Sequence, residues 1–156
     1  MTGQPKYCID TNSLMDCRLR YYPPDVFETV WEQMERLFEE GTLISHEEVL
    51  REITRKSDEL AAWAKERTDY FVPFNAEQEL VLIDILDRFE RLVMTGKRKN
   101  AADPFLVALA STTNTILITQ EKSGSQNKPK IPDVCAAFGV MPMPLLDMFR
   151  REGFRF

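Results

Sequence analysis

Short apolar runs alternate with longer helical patterns along this chain, and that alternation restricts it to a layered α/β fold with a parallel sheet. Tyr7-Cys8-Ile9, Thr42-Leu43-Ile44 and Thr115 to Thr119 read as strands, with Tyr70-Phe71-Val72 and Val140-Met141 as two further short ones. The runs are continuous rather than alternating, as in strands covered on both faces. Asp25 is expected to cap a helix that carries Val26, Val30, Met34, Leu37 and Phe38 on one face and ends at Gly41. Ser45 and Glu48 fit a capping box for a helix from His46 to about Arg55, and Ser57 opens another with Leu60, Trp63 and Ala64. Asn75 begins the longest pattern, with Leu80, Ile83, Leu86, Leu92 and Val93, closed by Gly96. Asp103-Pro104 starts a helix apolar on nearly every side through Ala110, so it should be buried. Pro132 starts a short helix that ends near Gly139, and Leu145 to Arg151 forms a terminal one. The expected architecture is three layers, α/β/α around a central parallel sheet, in one domain over residues 1–156.

Composition narrows the class. A chain of 156 residues with 44% hydrophobic and 29% charged side chains suits a globular domain. Residues Met1 to Lys6 carry no apolar signal core, and no stretch approaches the roughly 18 apolar residues that cross a bilayer. A cytoplasmic protein with no membrane partner is therefore expected. Cys8, Cys17 and Cys135 lack a Cys-x-x-Cys spacing and His46 is the only histidine, which supports neither a zinc site nor a disulfide framework. The net charge of −5 argues against indiscriminate nucleic-acid binding, but Lys97-Arg98-Lys99 bunches positive charge locally.

Four acids stand where an apolar run gives way to a turn or a helix. Asp10 follows Tyr7-Cys8-Ile9, Glu52 lies on the helix after the second strand, Asp103 opens the apolar helix, and Glu121 follows the third long strand. Parallel sheets gather the carboxyl ends of their strands at one crevice. Carboxylates brought together there repel one another unless a hard cation is present, so the pattern points to a divalent metal. Each acid also has a plain structural reading: Asp10 and Asp103 as helix caps, Glu52 as a solvated helix residue, Glu121 as a loop residue. Glu48 lies one turn before Glu52 on the same face and is the alternative acid. Asn12 and Thr119 are candidate supporting residues, Thr119 either orienting a water or satisfying its own backbone. Lys97, Arg98 and Lys99, just before Asp103, are candidate contacts to RNA phosphates.

The order Asp10-Thr11-Asn12, Ile44-Ser45 with Val49-Leu50-Arg51-Glu52-Ile53, Ala102-Asp103-Pro104-Phe105-Leu106-Val107-Ala108, and Leu117-Ile118-Thr119-Gln120-Glu121 resembles the PIN-domain ribonucleases. It is similar in particular to the VapC-type toxins of toxin–antitoxin pairs. The segment Lys130-Ile131-Pro132-Asp133-Val134-Cys135, with Phe138-Gly139-Val140, resembles a poorly characterised PIN-like branch. The resemblance implies a metal-dependent endoribonuclease with catalytic acids at Asp10, Glu52, Asp103 and Glu121. It implies one or two Mg²⁺ or Mn²⁺ ions, with Asp10 and Asp103 as principal ligands and Glu52 binding a second ion or orienting the water. It also implies an RNA substrate, an antitoxin protein as partner and homodimerisation. Glu121 departs from the family, which usually has Asp there, and the loop from Lys122 to Pro129 departs as well.

Two other readings compete. A haloacid-dehalogenase-type aspartyl phosphatase also has Asp after its first strand, but it needs a second Asp two residues on, where this chain has Asn12. A non-catalytic PIN-like binding module would keep the fold and lose the metal.

Overall fold

Five strands make one parallel sheet: β1 (Tyr7–Ile9), β2 (Leu43–His46), β3 (Phe71–Val72), β4 (Ile116–Ile118) and β5 (Pro142–Met143), in the order β3-β2-β1-β4-β5. The computed structural model describes residues 4–89, 102–124 and 130–156. β1 is central, with Tyr7 opposite Leu43 on one side and Ile116 on the other. Its three residues are buried, which is why a run so short and wholly apolar is a strand at all.

Eight α-helices flank the sheet among the described residues, giving the expected three-layer α/β/α architecture. They are α1 (Thr11–Asp16), α2 (Glu28–Glu39), α3 (Glu47–Lys56), α4 (Asp58–Lys65), α5 (Ala76–Arg88), α6 (Asp103–Thr113), α7 (Ile131–Ala137) and α8 (Leu145–Arg151). A π-helical turn, Cys17–Tyr21, continues α1. The apolar helix α6 lies across β1, β2 and β4, with Leu106 to Leu109 fully buried. Pro104 sits in its first turn and Asn114 ends it in the left-handed region at φ 56°. Arg18, from the π-helical turn, has its guanidinium carbon 4.9 Å from the Trp31 ring centre and 5.5 Å from that of Trp63. This tie joins α2 and α4 through cation–π contacts. Among the described residues no helix is long and apolar enough to cross a membrane.

Several local expectations shift. Asp25 does not cap α2: the N–H groups of Val26 and Phe27 donate to the Pro23 carbonyl in a turn, the helix starts at Glu28, and Val26 is exposed. Gly41 does close that segment, at φ 77°. Ser45 belongs to β2 and donates its hydroxyl to the Ile9 carbonyl at 2.8 Å, so it joins two strands rather than forming a capping box. The cap of α3 is His46, whose Nδ1 accepts the Glu48 N–H at 3.0 Å. On α5 the buried positions are Gln78, Leu82 and Ile85, while Leu80 and Ile83 face outward. Leu92, Val93 and Gly96 lie outside the described residues. The last strand is Pro142–Met143, two residues later than Val140-Met141; an edge strand tolerates the proline.

The buried polar pair His46–Gln78 explains the register of α5. Because His46 Nδ1 accepts a backbone N–H, its Nε2 carries the proton and donates to Gln78 Oε1 at 2.8 Å. Burial lowers the imidazole's pKa, which keeps it neutral. Gln78 in turn donates to the Pro73 carbonyl at 3.1 Å. Gln78→Leu leaves a buried imidazole N–H and a carbonyl without partners. A loss of roughly 1–3 kcal/mol in urea unfolding is expected, and an unchanged midpoint would show that the pair contributes nothing.

Candidate active site

Strand order reverses between β1 and β4, since the chain walks outward from β1 to β3 and then returns to the other side of β1. Ligand crevices in open parallel sheets form outside the carboxyl ends of strands at such a point. Asp10 and Thr119 are the residues that follow β1 and β4 there. The Asp10 N–H donates to the Ile118 carbonyl at 3.0 Å, which ties the two strand ends together. Helix α6 precedes β4 and runs against it, so its first residue, Asp103, comes to the same edge. Glu52 reaches the crevice from the second turn of α3.

Asp10 is a helix cap and a crevice residue at once. Its Oδ1 accepts the Ser13 N–H at 2.8 Å and the side chain is 2% exposed. Burial pushes the carboxyl up to about 6; the hydrogen bonds from Ser13 and Thr119 oppose that rise and the Glu121 charge adds to it. Asp103 is pushed well above the ordinary carboxylate range, by burial first and then by the charges of Glu121, Asp10 and Glu52, with Lys56 pulling the other way. Its buried Oδ2 has no hydrogen-bond partner.

Glu52 is 2% exposed. Its Oε1 accepts the Thr11 hydroxyl at 2.7 Å, and its Oε2 is buried without a hydrogen-bond donor, 3.7 Å from Lys56 Nζ. Glu121 is half-buried; its Oε2 accepts the Ile131 N–H at 3.3 Å and its own N–H donates to Thr119 Oγ1 at 3.2 Å. Thr119 therefore serves both its local backbone and Asp10. Beyond Thr119 and Glu121 opens a cleft of about 500 Å³, walled by Lys122, Pro132, Pro142 and Met143.

Asp103 thus faces the charges of Glu121, Asp10 and Glu52, and Asp10 faces that of Glu121. Glu48 does not join them, because its carboxylate is engaged by Arg51 on its own helix. Asn12 is exposed on the first turn of α1. Lys97, Arg98 and Lys99 lie outside the described residues. Sequence reasoning missed Thr11 as the clamp on Glu52 and Lys56 as a cation beside Glu52. The Glu52–Lys56 spacing of four on a helix was the available signal for the second.

All the donors in the crevice are hard oxygens, and two of them are buried with no proton donor, which suits a hard divalent cation. Among the described residues no three His, Cys, Asp or Glu side chains are grouped to hold a metal ion as they stand.

Fold and site together define a three-layer α/β domain with an all-parallel sheet and buried acids at its topological switch point. Within that class the chain belongs to the family described as Domain of unknown function (DUF4411), whose model matches residues 7–156. No curated protein matches it.

Proposed function

We propose that the chain is a metal-dependent endoribonuclease of the PIN-like kind, which hydrolyses phosphodiester bonds in RNA. The observation that carries the reading is that Asp103 faces the charges of Asp10, Glu52 and Glu121 at the switch point, with Asp103 Oδ2 and Glu52 Oε2 buried without hydrogen-bond partners. Asp10 and Asp103 would be the principal ligands of Mg²⁺ or Mn²⁺, with Glu52 beside them. Bound there, the metal supplies Lewis acidity and a water of lowered pKa.

The chain's own groups do the positioning. Ser13 and Thr119 fix Asp10, Thr11 fixes one oxygen of Glu52, and the Ile131 N–H holds Glu121. Such supports keep ligand carboxylates in place before substrate arrives. Glu52 would orient the attacking water and Glu121 would act through water at the rim. The cleft beyond Glu121 has the size of a small-molecule site and would seat a nucleotide next to the scissile phosphate, with Lys122 near its charge. The resemblance to VapC-type toxins supports the further reading of a cytoplasmic toxin held in check by an antitoxin, with homodimerisation as the family's habit.

Cleavage of a mixed pool of structured and single-stranded RNAs tests this. Wild type with Mg²⁺ or Mn²⁺ is expected to cut. EDTA should abolish cutting, and Asp10→Asn should slow it by about 100-fold or more. Undiminished cleavage by Asp10→Asn would sink the assignment. The departures at Glu121 and in the loop after it support a second reading, a binding module without catalysis. That protein would neither cut RNA nor be stabilised by Mn²⁺.

A further inference from the structure

We propose that Lys56 is the resident cation of the acidic crevice, that an incoming divalent metal must displace it, and that its charge thereby sets the metal affinity. The proposal rests on the metal-site reading above.

Lys56 is the last residue of α3, one turn beyond Glu52. Its Nζ stands 3.7 Å from the buried Oε2 of Glu52, the oxygen that no hydrogen-bond donor reaches. Its charge also acts on Asp103, against the three carboxylates that burden that residue. One ammonium thus relieves two crevice acids from two different helices. Arg51, on the same helix, is spent on Glu47 and Glu48.

The side chain of Lys56 is 33% exposed whereas that of Glu52 is 2%. Its ammonium therefore has a short route to water while the carboxylate does not. Lysine suits this task better than arginine, being a compact charge on a flexible stem and no bidentate fork. A divalent ion and an ammonium compete for the same oxygens, so the metal gains two charges' worth of attraction and loses what Lys56 contributed. Lys56 offsets part of the crevice's negative charge without metal, and the crevice binds the ion less tightly than it would without that ammonium.

Mn²⁺ titration of the full chain by calorimetry tests the idea, with wild type, Lys56→Gln, Lys56→Met and Lys56→Arg compared. Both neutral variants are expected to bind Mn²⁺ roughly tenfold more tightly, the effect of removing one unit charge a few ångströms from the ion. Metal-free, both should melt below wild type, and Mn²⁺ should raise their melting temperatures further than it raises that of wild type. Lys56→Arg should stay close to wild type in affinity. Lys56→Met keeps the apolar stem, which separates loss of charge from loss of packing. Equal or weaker Mn²⁺ binding by both neutral variants, with wild type binding, overturns the role of Lys56 and leaves the metal site standing. No Mn²⁺ binding by any of the four overturns both.

Discussion

Asp103→Asn is expected to stabilise the metal-free protein while removing its Mn²⁺ binding and slowing RNA cleavage by about 10²–10³-fold. The two effects have one cause. Asp103 is 7% exposed at the start of α6, has a buried oxygen without a partner, and faces the charges of Glu121, Asp10 and Glu52. An ionised carboxylate there is costly unless enough positive charge shares the crevice, so the group proposed to serve the metal burdens the metal-free fold. The sign follows from the raised pKa. A carboxyl raised by folding contributes its full stability below its unfolded pKa and loses it as pH climbs through the folded value. Asparagine has the shape of the neutral acid and no charge to acquire. Urea unfolding at pH 5 and pH 8 should therefore show the variant's advantage widening with pH. An Asp103→Asn protein no more stable than wild type at pH 8 would mean that the crevice does not strain the fold.

The second large effect is a pH-dependent exchange between folding stability and metal affinity. Burial lifts Asp10 from 3.8 to about 6. A shift of that size corresponds to roughly 3 kcal/mol, present in full below about pH 4 and lost as pH rises through about 6. The quantity to follow is the difference between wild type and Asp10→Asn. That difference should move against wild type by roughly 3 kcal/mol between pH 4 and pH 7 in EDTA. On the proposed metal-site reading, Mn²⁺ is expected to reverse the trend, because ligand carboxylates must be ionised to bind it. Its stabilisation should be small at pH 5 and large at pH 7.5, read as a shift in melting temperature. A Mn²⁺ shift that is equal at both values would detach the metal from Asp10.

The layered sheet and the buried helix α6 were legible because their signals are local: continuous apolar runs, the Asp-Pro start, and glycine or asparagine at the helix ends. That the charges of Asp10, Glu52 and Glu121 act on Asp103 follows from the same topology, since strand ends in a parallel sheet share an edge. The phase of α5 was not legible. Leu80-Val81-Leu82-Ile83 and Ile85-Leu86 offer more than one apolar face, and the choice falls to Gln78, a polar residue buried because His46, 32 positions earlier, needs it. Ser45 misled for a similar reason. Its hydroxyl is drawn to the Ile9 carbonyl on the neighbouring strand, a partner that no capping pattern reveals. The role of Lys56 was likewise hidden, because a Glu–Lys pair four apart on a helix is usually a surface pair. Only the burial of Glu52 turns it inward.

The strand order also bears on timing during synthesis. β1 is made first and sits in the centre, yet one of its flanks stays open until β4, far along the chain, has been made and pairs with it. Asp103 and Glu121 come to Asp10 only through that late event. A growing polypeptide that has not yet made β4 would carry Asp10 and Glu52 without the assembled crevice. A product truncated before residue 116 would lack β4 and leave Asp10 with no strand end beside it.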